Sequence, residues 1–185
     1  MNQFEEGLEY FDLAIQQNPE NSDYYANKAI TLMNMNRFEE ALNHYDIAIS
    51  KNPENSLYYH HKGKQYFNKF EAVTLHKINR FEEALQFYNF AIFKNFDNSD
   101  YYNNKGIVFI SPFYLANTLI KMQRFEEALE YQDIAISKNP NNADYQNNKA
   151  NTLSQLNKYE EAINYYNSAI QKKPKNSYYY YCKGK

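Results

Sequence analysis

RFEEAL stands at residues 37–42, again at 80–85 and again at 124–129. Near-copies read QFEEGL at 3–8 and KYEEAI at 158–163. A second phrase alternates with the first: NSDYY at 21–25 and 98–102, echoed by NSLYY at 55–59, NADYQ at 142–146 and NSYYY at 176–180. In the units 22–55 and 143–176 one copy follows the last after 34 residues. A chain that copies itself at this period is an array in which each short unit buries its apolar face against its neighbours.

Within a unit the pattern is helical. Phe38, Ala41, Leu42, Tyr45, Ala48 and Ile49 fall on one stripe of a helix, and Tyr24, Tyr25, Ala29 and Leu32 form another. Small residues such as Ala41 and Ala48 let a neighbouring helix come close. Asn36, Asn79 and Asn157 occupy the expected reversal between the two helices, because Asn tolerates the left-handed backbone that ends a helix. Asn52-Pro53 stops the second helix, and Asn55-Ser56 caps the next. The Glu pairs 39/40, 82/83, 126/127 and 160/161 fall in the first turn of each second helix, where negative charge complements the helix dipole.

The period of 34 and the helix–turn–helix unit resemble the tetratricopeptide repeat. Tyr25 stands where that family prefers Trp, Lys28-Ala29 replaces its Leu-Gly pair, and Leu32 its Tyr. Ala41, Tyr45, Ala48 and Pro53 follow its pattern. The resemblance implies an all-α, right-handed superhelical solenoid of antiparallel helix pairs. Its expected parts are a half repeat at 1–21, repeats at 22–55, 56–98, 99–142 and 143–176, and a truncated repeat at 177–185. The expected helices are a lone second helix at 3–17, then 22–35 with 38–51, 56–78 with 81–94, and 143–156 with 159–172. The fourth unit starts near 99, breaks near 111 at Ser111-Pro112, resumes to about 122 and pairs with 125–138. A last partial helix begins near 177.

Composition excludes several functions. Net charge is −2 and pI about 6.1, so no basic excess draws nucleic acid or an anionic membrane. Only 4 Gly and 5 Pro argue against a many-stranded β fold. One cysteine, Cys182, permits no disulfide framework within the chain. No run approaches the roughly 18 apolar residues of a membrane span, and the acidic start MNQFEEGLEYF lacks a leader's basic and apolar regions. A cytoplasmic location follows as the expectation. The paired glutamates read as solvated helix starts, since two catalytic carboxylates need one cleft and unlike environments. His60 and His61 are helix neighbours, about 100° apart, and cannot share a metal as an i, i+4 pair does. No phosphate-loop, dinucleotide or zinc-protease motif occurs, so no catalysis, cofactor or metal is expected.

Two repeats are too long: 56–98 has 43 residues and 99–142 has 44. The surplus is GKQYFNKFE at 63–71 and GIVFISPFYL at 106–115. Removing these nine and ten residues restores 34 in each, and returns Ala72-Val73-Thr74-Leu75 and Ala116-Asn117-Thr118-Leu119 to the register of Ala29-Ile30-Thr31-Leu32. Both segments begin with Gly and precede Ala. That is the outcome of reading through an intron that interrupts the Ala codon after its first base. The chain ends on the same phrase, Lys183-Gly184-Lys185, and Met1 matches Met35 in mid-repeat, as expected of a fragment of a longer array. Two genuine insertions at one loop-tolerant point are the alternative.

In the family the first helices line the concave face and carry ligand contacts. The resemblance thus puts Asn27, His61, Asn104 and Asn148 in one column of the groove, His60, Asn103 and Asn147 in the next, and Asn151 nearby. An Asn amide offers donors and an acceptor to an extended peptide backbone; AT-rich codons, which also account for 27 Asn and 20 Tyr, are the competing source of these residues. The recurrent Lys28, Lys62, Lys105, Lys149 and Lys183 either meet an acidic partner or lay their stems over a helix junction. The expected function is a protein–protein interaction scaffold that binds a peptide or partner segment in the groove. The alternative is a substrate-recruiting or regulatory arm of a larger enzyme. Uncapped terminal helices, with Phe4, Leu8, Phe11 and Ile15 at one end and Tyr178 to Tyr181 at the other, lead to an expectation of end-to-end self-association.

Overall fold

A computed structural model describes the backbone of residues 2–68, 77–109 and 118–185, and the side chains of residues 3–66, 82–108 and 124–185. Among the described residues all regular structure is helical. The order is α1 (Asn2–Gln17), α2 (Ser22–Asn34), α3 (Phe38–Lys51), α4 (Ser56–Asn68), α5 (Lys77–Lys94), α6 (Ser99–Phe109), α7 (Thr118–Lys138), α8 (Ala143–Gln155), α9 (Tyr159–Lys172) and α10 (Ser177–Lys183). They group into two compact units, Met1–Asn95 and Phe96–Lys185. No helix of the described residues is long and apolar enough to cross a membrane.

Local chemistry sets the ends of the helices. Asn21, Asn142 and Asn176 each accept a hydrogen bond from the backbone N–H two residues on, opening α2, α8 and α10. Asn36 and Asn157 take positive φ, 60° and 59°, and reverse the chain between α2 and α3 and between α8 and α9. In the first unit α2 packs on α3 through Ala29, Leu32, Ala41, Tyr45 and Ala48, each at most 1% exposed. In the second, α8 packs on α9 through Ala150, Leu153, Ala162 and Tyr166, with Cys182 of α10 closing the cluster.

The long repeats depart from expectation. Asn79 lies inside α5, which runs unbroken from Lys77 to Lys94, so no reversal occurs there. The gap expected between 122 and 125 is likewise absent, because α7 is continuous from Thr118 to Lys138. Its residues Gln123 and Arg124, at the register of Asn36 and Arg37, are good helix formers and offer no left-handed stop. Residues 77–78, expected to end a first helix, are continuous with the second-helix residues 81–94 in α5. Glu82, Glu83, Glu126 and Glu127 therefore sit beyond the first turn of their helices; only Glu39, Glu40, Glu160 and Glu161 keep the expected place. The expected break near 111, and the part of the expected 56–78 helix at 69–76, lie outside the described residues.

Candidate functional site

The recurrent lysines are spoken for. Lys28 pairs with Asp12, Lys62 with Asp46 and Lys149 with Asp133, always 16 residues back on the second helix of the preceding repeat. Lys183 donates to Asn167 at the same separation, 2.7 Å away. Three of the lysines also set Nζ over an aromatic ring of their own repeat: Lys62 4.5 Å from the Phe87 centroid, Lys105 3.9 Å from Tyr131 and Lys149 4.5 Å from Tyr165. Lys62, Lys105 and Lys149 are buried. Burial alone would lower the Lys149 ammonium, but hydrogen bonds to Asp133 and Tyr165 outweigh it and hold the group above its usual range. Lys28, Lys62, Lys149 and Lys183 thus staple a repeat to the one before it, whereas Lys105 donates to Tyr131 of its own repeat at 2.7 Å. None of the three buried lysines is presented to an acidic partner.

Two tyrosine series do similar work. Tyr58 donates to Asp23 at 2.5 Å and Tyr145 to Asp100 at 2.6 Å, each also bonded to the Ser one position earlier, Ser22 and Ser99. Tyr179 donates to Asp144. Tyr25, Tyr59 and Tyr180 donate to the carbonyl oxygens of Pro19, Pro53 and Pro174, six residues earlier, at 3.0–3.2 Å. These contacts were readable in principle from constant spacings, 16 residues for Lys–Asp and six for Tyr–Pro, but residue type alone did not reveal them.

The expected groove residues divide between the two units. In the first, Asn27 is exposed, His61 stacks on Tyr45 with ring centroids 6.1 Å apart, and His60 packs 5.8 Å from the buried Tyr88 ring. Burial depresses His61, helped by Lys64, and it depresses His44, helped by Lys28. In the second, Asn148 donates Nδ2 to Oδ1 of Asn103 at 3.2 Å, joining two successive first helices. Asn104 and Asn148 are partly exposed, whereas Asn103 and Asn147 are buried at 6% and 2% exposure. Asn147 Oδ1 has no hydrogen-bond partner. Asn151 accepts from the Tyr166 hydroxyl at 2.7 Å. Among the described residues no three His, Cys, Asp or Glu side chains gather as a metal site would need.

Helix pairs stapled to one another, with a row of amides along the first helices, define a helical-repeat scaffold for protein binding. The chain belongs to the tetratricopeptide repeat family: models of that repeat match residues 1–64 and 114–177. No curated protein matches it in sequence. Solved structures share its fold. TTC0263, a thermophilic TPR protein of Thermus thermophilus, superposes with a TM-score of 0.76 at 16% identity, over 99% of this chain and 90% of that one. MamA gives 0.73 at 17% identity, over 94% and 91%. YrrB, described as a TPR protein with an unusual peptide-binding site, gives 0.66 at 24% identity, over 94% and 80%.

Proposed function

We propose that the chain binds an extended or helical segment of another protein in the groove lined by its first helices, centred on Asn104 and Asn148. The Asn148–Asn103 hydrogen bond supports this most directly, because it fixes one amide of the row while leaving Asn148 its side-chain Oδ1 and second Nδ2 hydrogen for a peptide backbone. Asn103 and Asn151 are engaged behind the row, by Asn148 and Tyr166, and Asn147 lies buried beside them; Asn27, His60 and His61 are the counterparts in the first unit. YrrB's printed peptide-binding site adds support at the level of the fold. The near-neutral charge favours a protein over nucleic acid as partner. We assign the chain no catalytic step, and the single cysteine is in keeping with a cytoplasmic setting. Peptides selected from a displayed random library on the whole chain test the site. Asn104→Ala with Asn148→Ala is expected to weaken their binding by about tenfold or more; unchanged affinity places the site elsewhere.

Self-association belongs to the same proposal. In α3 the face packed on α2 buries Ala41, Tyr45 and Ala48 completely. The same face of α1 carries Phe4, 44% exposed, and Gly7, which has no heavy atom within 4 Å of where a Cβ would stand. At α10, Tyr178 and Tyr181 are exposed. Sedimentation at rising concentration is expected to show heavier species, and a monomer at every concentration would refute this part.

A further inference from the structure

We infer that residues 63–71 and 106–115 are read from two short retained introns and are absent from the working protein. The uninterrupted repeats show what the end of a first helix requires. Its Ala seat, Ala29 in α2 and Ala150 in α8, is fully buried. Two positions later Thr31 donates its hydroxyl to Asn27 O, and Thr152 does the same to Asn148 O, so each satisfies its polar atom on its own helix. In the long repeats the segments supply these seats instead. Gly63 and Gly106 replace the Ala, while Gln65 and Val108 replace the Thr. Gln65 is fully buried and neither of its amide atoms has a hydrogen-bond partner. A buried primary amide left in that state is a defect that native cores rarely carry. Val108, in the same seat of the other long repeat, shares no chemistry with it; two insertions shaped by one role would resemble each other.

The consequence continues downstream. Thr118, which in register belongs to the end of a first helix, is continuous in α7 with the second-helix residues 125–138. That helix runs 21 residues, where α3 and α9 have 14. The positive-φ reversals made by Asn36 and Asn157 have no counterpart at Asn79 or Gln123, both inside helices. The sequence after each segment repeats the phrase of the uninterrupted units, Ala-x-Thr-Leu, at 72–75 and at 116–119. The genetic code accounts for the rest. An intron entered after the first base of an Ala codon is read as Gly, because its own first two bases are G and T. The codon completed after its closing AG is again Ala. Glu71 and Leu115 both have codons ending in the required A.

Sequencing the mature transcript across both positions tests this directly. The expected message lacks three bases for every residue of 63–71 and of 106–115. The chain without both segments, made beside the full 185-residue chain, is expected to melt at a higher temperature and to show the same helical circular dichroism per residue. A transcript that keeps both segments overturns the inference, and so does a shortened chain that melts lower than the full one. The outcome is independent of ligand binding, so it stands or falls apart from the groove proposal.

Discussion

Asn148 donates its amide to Asn103 one repeat earlier, whereas Asn147, its neighbour on α8, has an Oδ1 that is buried and bonded to nothing. The repeat register explains the contrast. The residue that stands to Asn147 as Asn148 stands to Asn103 is Cys182, a weak donor. An amide there would complete the row. Cys182→Asn is expected to stabilise the second unit by about 1 kcal/mol, read as a raised denaturation midpoint. A fall in the midpoint would mean that the apolar packing of Cys182 against Ala150, Leu153 and Tyr166 matters more.

Lys149 and Asp133 are unequal partners, because the lysine side chain is 10% exposed and the aspartate 57%. Lys149→Ala removes a stem packed on Tyr165 together with two charge-assisted bonds, and is expected to cost about 1–3 kcal/mol. Asp133→Asn alters only the exposed end and is expected to cost less than about 1 kcal/mol. Urea denaturation of both variants checks the ratio; equal losses would locate the value of the staple in its charge.

Gln65 offers the opposite sign. Replacing its unpartnered buried amide with Leu is expected to raise stability by about 1–3 kcal/mol. A destabilised Gln65→Leu chain would show that the amide is satisfied in solution.

All four histidines lie in the first unit. His44 and His61 are held below the usual imidazole range, by burial first and then by Lys28 and Lys64. Asp12 and Glu40 pull His44 the other way without reversing the shift. A depressed pKa means that the unfolded chain takes the proton first. Stability from these groups is therefore complete above about pH 6.5 and declines as pH falls through that value. Thermal melts between about pH 7.5 and pH 5 are expected to show this slope, and His44→Gln with His61→Gln is expected to flatten it. A slope unchanged in the double variant would assign the acid response to carboxylates.

By itself the sequence determined the helices of the uninterrupted repeats, their period and the reversals at Asn36 and Asn157. Each depends on a stripe of apolar spacing or on one residue's backbone preference, and both are local. Local preference gave no warning where the surplus residues shift the chain against its own register. Asn79 carries the turn signal and is helical nonetheless, because the hydrogen-bonded ladder from Lys77 outweighs one Asn's modest taste for the left-handed region. The candidate site followed the same division. The positions of Asn104 and Asn148 are legible from the 34-residue register, interrupted though it is. Which amides are consumed inside the array, and which lysines bond backwards to Asp12, Asp46 and Asp133, only tertiary structure decided. Those partners stand on different helices of different repeats, and only the packing distance between stacked repeats brings them within reach.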